Sequence, residues 1–245
     1  MDADLTLKGS NRAYQCTLSG SELFLDLSVG VAQRSPTATD FHPFRDNATT
    51  DHLIMETLDE RIARVLQEHV SIVPYDPDWP RMFAEEKQHL LDCLPSELIR
   101  RIEHFGSTAI PGLTAKPIVD MLVEVTSLEE TKTRIVPVLE SQGYDYFWRP
   151  TRGDDTPPFY AWFIKRDATG ARTHHIHMIE REFEQWERLL FRDYLIEHPE
   201  VAKEYEALKL GLANDHPNDR IAYTEGKADF VVRLTHLAKT YYQAI

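Results

Sequence analysis

The residues with the greatest chemical reach are an aspartate set inside an apolar run and a cluster of imidazoles further along the chain. Asp120 stands among Ile118, Val119, Met121, Leu122 and Val123. A carboxylate there is costly unless it is paired, hydrogen-bonded or bound to a metal. Upstream, a strand-like run from Leu98 to Phe105 breaks at Gly106-Ser107 and crosses a loop holding Pro111, Gly112 and Pro117. The second strand, Ile118 to Val125, then begins. Backbone amides of such a turn, with the hydroxyls of Ser107 and Thr108, can cradle phosphate oxygens; the plain alternative is a tight turn that needs glycine. Lys116, just ahead of the aspartate strand, either meets an anionic substrate or pairs with Asp120.

The second constellation is Thr173-His174-His175-Ile176-His177. Strand alternation puts His175 and His177 on one face and His174 on the other. Two imidazoles so spaced can share a metal ion, or one can move protons near neutral pH. Glu180 has the opposite parity and belongs elsewhere. Arg172, Arg192, Lys209, Arg220 and Lys227 are the candidate anion contacts. Arg192 with Asp193 reads as a structural pair, whereas Lys209 and Lys227 face either substrate or solvent. Tyr223 is placed near the pocket, and the four tryptophans read as core rather than as platforms for stacked bases.

A two-metal transferase needs paired carboxylates, commonly at i and i+2 on one strand face. Here i is Asp120 but i+2 is Leu122. Glu124 shares the parity of Asp120, yet lies about 13 Å along the strand, too far for both to reach one ion. If the two segments lie side by side, Asp120 with His175 or His177 would make a mixed carboxylate–imidazole site in its place.

Around these residues the periodicities predict a helix after Thr49-Thr50-Asp51 through Leu66, and another from near Asp78 that stops before Pro95. A helix from Leu128 to Ser141 ends at Gly143, with Pro137 kinking or splitting it. Tyr144 to Arg149, Phe159 to Arg166 and His174 to Ile179 read as strands, and 167–171 as a hairpin loop. Arg149 to Pro158, with Arg152, Asp154 and Asp155, reads as a rim loop. Helices follow from Glu182 to the end. This order argues an α+β domain with a C-terminal helical layer. Residues 1–50 form a separate extension: Leu23 to Val31 alternate as a strand, which either adds an edge to the sheet or stays partly mobile. Residues 51–245 make up the main domain.

The chain has 245 residues, long enough for a large core without disulfides, and its two cysteines sit in no metal or redox spacing. That suits a reduced, cytoplasmic setting. No run approaches a membrane span. The formal charge of −13 opposes indiscriminate nucleic-acid binding without excluding a local basic groove. There is neither a Gly-x-x-x-x-Gly-Lys-Ser/Thr loop nor a Gly-x-Ser-x-Gly elbow.

Several blocks carry a resemblance. Tyr75-Asp-Pro-Asp-Trp-Pro80, the run from Gly106 to Asp120 and Thr173 to Glu180 are followed by Phe191 to Leu195, His198-Pro199, Tyr205 to Lys209 and Tyr223 to Lys227. Together, from about Val70 to Tyr241, they resemble the GrpB family, in the nucleotidyltransferase superfamily of the DNA polymerase β type. The resemblance implies a mixed β-sheet with flanking helices and a strand bearing His175 and His177 beside the Asp120 strand. It also implies a cleft at Gly106–Asp120 for a nucleotide or other phosphorylated small molecule. Asp120, His175 and His177 then serve as catalytic and metal-binding residues, with Mg²⁺ or Mn²⁺. Gly106, Ser107, Thr108, Lys116, Arg172, Lys209 and Lys227 serve as phosphate or substrate contacts. Leu122 departs from the superfamily pattern and puts its two-metal chemistry in doubt. A further similarity, to fungal arginine-containing cyclodipeptide synthases, implies acyl transfer from aminoacyl-tRNA, a reaction that needs no second acid. A non-catalytic nucleotide-binding module is the third expectation.

Overall fold

A computed structural model describes residues 56–66, 69–151 and 156–243. The N-terminal strand, the cap at Thr49 to Asp51, and Arg152, Asp154 and Asp155 fall outside the described residues. Among those described, α1 (Leu58–Leu66) precedes α2 (Trp79–Cys93). Pro80 sits in the first turn of α2, where its missing N–H costs nothing. The helix stops at Leu94, held extended by Pro95, as residues before proline are. Then come β1 (Ile99–Phe105) and β2 (Val119–Val125), joined by a loop that opens with a single 3₁₀ turn, Ser107–Ala109.

The helical run after β2 is α3 (Leu128–Glu130), a π-helical stretch (Thr131–Ile135) and α4 (Val136–Ser141). Ser127 caps it by accepting from the Glu130 amide at 3.2 Å, and Glu180 accepts from the Leu128 amide at 2.8 Å. The expected disturbance at Pro137 takes the form of a widened turn just before the proline, whose ring would press on the carbonyl four residues back. Gly143, at φ +86°, ends the run in the left-handed conformation.

Next come β3 (Asp145–Pro150), β4 (Phe159–Arg166) and β5 (Arg172–Ile179). The sheet order is β1-β2-β5-β4-β3. Only the central β2–β5 pair is parallel; its neighbours pair antiparallel. The helical run carries the chain from β2 to the far edge, and two antiparallel steps return it to the middle. His175 is thereby brought beside a residue 55 positions away in sequence.

Each sheet face packs differently. Val119, Met121, Val123, Ile176, Met178 and Phe163 meet Trp79, Leu90 and Leu94 around α2, together with Ile135 and Leu139 of the helical run. Phe105, Leu122, Tyr160, Trp162 and Ile164 pack on the opposite side with Val65 of α1. With both faces covered, β2 is nearly continuous in apolar residues, as a central parallel strand requires. The C-terminal layer comprises α5 (Arg188–Glu197), α6 (Pro199–Asp215), α7 (Arg220–Glu225) and α8 (Ala228–Gln243). Phe191, Leu195, Tyr205 and Leu234 of this layer receive Ile110 and Leu113 from the β1–β2 loop. The α+β class and the helical layer agree with the expectation from sequence.

Candidate functional site

The parallel register sets Asp120 opposite His175 and Leu122 opposite His177. Asp120 Oδ1 and His175 Nδ1 are 3.1 Å apart. The other ring nitrogen of His175, Nε2, faces Arg172 Nη1 at 3.4 Å. A guanidinium can only donate, so Nε2 is the acceptor and the proton belongs on Nδ1, shared with Asp120. That assigns a neutral imidazole. Burial, reinforced by Arg172 and Arg220, holds His175 well below its usual range. Arg172 is itself fixed by donating from Nη2 to the Val65 carbonyl at 2.6 Å.

His177 lies in an aromatic box. Tyr160 stacks on it at 5.5 Å between ring centroids, and Phe105 meets it edge-on at 5.4 Å. Burial, then Arg188, pushes its titration well down as well. Its Nδ1 is buried with no hydrogen-bond partner among the described residues. One donor atom from each of Asp120, His175 and His177 lies within 4.8 Å of the others. Ligands of one ion bound at about 2.1 Å stand roughly 3–4 Å apart, so small side-chain movements would close the set. Both imidazoles are neutral, as ligation requires. Leu122, in place of a second acid, is fully buried in the apolar cluster. Glu124 pairs with Arg101 at 3.5 Å and plays no part.

At the Gly106 turn the structure shows the tight-turn use of glycine that the sequence offers beside the phosphate one. Gly106 has φ +73°, and a β-carbon there would stand 2.6 Å from Asp120 Oδ2. Glycine thus serves both the left-handed backbone and the close approach of the carboxylate. The Ser107 hydroxyl lies near the Tyr205 ring hydroxyl and acts on it. Thr108 is buried, 3.0 Å from His104 Nε2, and donates to the Ile118 carbonyl at 3.4 Å. All three residues line the cavity, but their polar groups brace its wall.

The loop beyond is clamped. Glu206 accepts from the Thr114 amide at 3.0 Å, and Lys209 Nζ donates to the Thr114 carbonyl. Val73 and Ala115 exchange both backbone hydrogen bonds, at 2.8 and 3.0 Å.

These walls enclose a cavity of about 240 Å³. Lys116, Arg149, Arg172 and Arg188 line it from the sheet side and the start of α5; Lys209, Arg220 and Lys227 line it from the C-terminal helices. Among the described residues, the carboxylates in the lining are Asp120 and Glu187, and Glu187 pairs with Lys239. Asp120 keeps 29% of its side-chain surface exposed. Lys116 and Lys227 lie over the Tyr223 ring at 5.3 and 5.1 Å. Burial lowers Lys209 to about 7 and Lys227 to about 8.

With one exception, every residue singled out in the sequence as catalytic, metal-binding or anion-contacting borders this one cavity. Arg192 does not; it pairs with Asp193 at 2.7 Å and donates to the His104 carbonyl at 2.6 Å. Trp162 is core and cavity wall at once, with Arg149 over its ring at 4.5 Å. Sequence reasoning missed Arg149, Arg188 and Tyr160. Arg188 could have been found as the residue one helical turn before Phe191, since both line the cavity. Arg149 stands across from Tyr160 in the β3–β4 pair.

The sequence profile of the GrpB family, described as GrpB protein, matches residues 69–236, which holds every one of these side chains except Val65. The chain belongs to the GrpB family. It is 39% identical over 163 residues to the glutamate-rich protein GrpB of Alkalihalophilus pseudofirmus, spanning 66% of this chain and 91% of that one. It is 39% identical over 171 residues to UPF0157 protein YqkA of Bacillus subtilis, spanning 69% of this chain but 47% of the relative. The crystal structure of conserved protein GrpB from Enterococcus faecalis superposes with a TM-score of 0.60 at 33% identity, covering 70% of this chain and 99% of that one. The GrpB region thus coincides with the sheet, the clamped loop and the helical layer. Among the described residues no helix is long and apolar enough to cross a membrane.

Proposed function

We propose that the cavity binds a phosphorylated small molecule, a nucleotide in the simplest case, and that Asp120, His175 and His177 hold one divalent ion that assists transfer of a group to or from it. One observation carries this reading. A chain of net charge −13 gathers seven cationic side chains around a cavity lined by two carboxylates, one of them engaged with Lys239. A cavity so rich in positive side chains suits a polyanionic ligand. The aromatic walls offer flat surfaces for a base or another ring.

The donor set narrows the ion. Mg²⁺ prefers an all-oxygen octahedron, whereas two imidazoles with one carboxylate suit Mn²⁺, Zn²⁺ or Fe²⁺. A bound ion supplies Lewis acidity at the transferring group. Asp120 and the two imidazoles would hold it, His175 giving up either its Nδ1 proton or its Arg172 contact to do so. With Leu122 in the core, the polymerase-type pair of ions has no second acid to hold it, so the reading is of single-ion transfer in a nucleotidyltransferase-like fold.

Calorimetry of the full chain with ATP, GTP and their diphosphates, with and without Mn²⁺, tests the proposal. Micromolar to millimolar binding that strengthens with Mn²⁺ and loses that gain in Asp120→Asn is expected. Binding without turnover would make the protein a non-catalytic module. Failure of every nucleotide, together with salt-dependent retention of aminoacyl-tRNA, would hand the cavity to acyl transfer instead.

A further inference from the structure

Two ammonium groups share one aromatic ring in the cavity. Lys116, at the end of the clamped loop, and Lys227, at the α7–α8 junction, both lie over Tyr223. Neither side-chain amine is hydrogen-bonded or ion-paired to another described residue. Arg220, one helical turn before Tyr223, is buried, and its charge acts on both lysines. The Gly106–Ser107 turn offers a phosphate much less. The Asp120 carboxylate stands against the Gly106 α-carbon, where it repels an anion.

Resting on the phosphorylated-ligand reading above, we infer that the ligand's phosphate end docks on Lys116, Arg220 and Lys227 around the Tyr223 ring, not in the Gly106–Ser107 turn, and that it is a phosphate monoester or diphosphate. A carboxylate brings one negative charge to three cations. A phosphate monoester brings about 1.5 to 2 at neutral pH, with three acceptor oxygens, and a diphosphate brings more. Two flexible ammonium donors beside a guanidinium suit such a multiply charged group. This arrangement leaves Asp120, His175 and His177 for the ion and the reacting centre.

Titration calorimetry of the full chain at pH 7.5 with inorganic phosphate, pyrophosphate and acetate tests the assignment. Pyrophosphate should bind more tightly than phosphate, and acetate should give no heat. Lys116→Met and Lys227→Met should each weaken pyrophosphate roughly tenfold, while Ser107→Ala should change it less than about twofold. Lys227→Arg, which keeps the charge, should stay within about threefold of the parent, separating lost charge from lost packing. A tenfold loss in Ser107→Ala with both lysine variants unaffected would overturn the subsite and leave the phosphorylated-ligand reading intact. Absence of phosphate and pyrophosphate binding in the unmodified chain would sink both.

Discussion

Asp120 and His175 face each other across the parallel β2–β5 pair, with Oδ1 and Nδ1 3.1 Å apart, although 55 residues separate them in sequence. Arg172 on the far side of the ring fixes which nitrogen carries the proton. To ligate an ion His175 must give up one of these contacts: the Nδ1 proton shared with Asp120, or the Arg172 guanidinium at Nε2. If the pair holds an ion, Asp120→Asn should weaken Mn²⁺ binding about tenfold or more, read from the free Mn²⁺ electron paramagnetic resonance signal. Equal Mn²⁺ affinity in the parent and the variant would remove the ion from the mechanism.

Gly106→Ala tests the close approach behind that carboxylate. An alanine there carries a left-handed backbone costing about 1–2 kcal/mol, and its β-carbon displaces Asp120 Oδ2. Denaturant unfolding should show a loss of at least that size, and Mn²⁺ binding should fall with it. A fully stable variant with unchanged Mn²⁺ affinity would contradict the geometry.

Leu122→Asp would recreate the acid spacing of a two-metal site. Leu122 is fully buried among Phe105, Tyr160, Trp162 and Ile164, so the new carboxylate has no water, and His177 across the strand pair is held neutral by burial. The expected outcome is a destabilisation of several kcal/mol, on the order of 3–5, with no gain of activity. Leu122→Met should be tolerated within about 1.5 kcal/mol. Melting curves of the two variants side by side decide the matter.

The pH dependence follows from the lysines. Burial lowers Lys227 from 10.5 to about 8, Lys209 to about 7 and Lys116 well below its usual range. Across the window above those values and below 10.5 the unfolded chain binds more protons than the folded one, so without a bound anion these groups make stability rise with pH. A bound phosphate reverses the preference, because it favours the charged ammonium. Binding should then take up protons, and pyrophosphate affinity should fall between pH 7.5 and 9. Heats measured in buffers of different ionisation enthalpy report the uptake directly. Lys227→Arg should flatten the profile; an equally steep profile in that variant would assign the titration elsewhere.

Much of this could be read before any coordinates. The apolar run around Asp120, the Pro80 start of α2, the Gly143 stop and the alternation of His175 with His177 are local signals, and each element lies where its signal put it. The resemblance placed the two central strands side by side. Local pattern could not show that the Asp120 carboxylate fills the hollow of the Gly106 turn, because that contact depends on how β1 and β2 pair. Nor could it gather Arg149, Arg188 and Arg220 into one wall: they come from a strand end and two helices, and a charged residue at such a place reads equally well as solvated surface. The π-helical stretch before Pro137 was foreseeable as a disturbance but not in its form, since kinking, splitting and widening all relieve the same clash.

The grip of α6 on Thr114 has a consequence for speed as well as affinity. Glu206 takes the amide and Lys209 the carbonyl of one residue, Thr114, while Val73 pairs with the next residue along. The segment that delivers Lys116 is therefore already set when a ligand arrives, and its ordering entropy is spent during folding and not at encounter. Loosening that peptide by Glu206→Ala would leave every cavity side chain in place in the sequence, yet make the incoming anion assemble its own receptor.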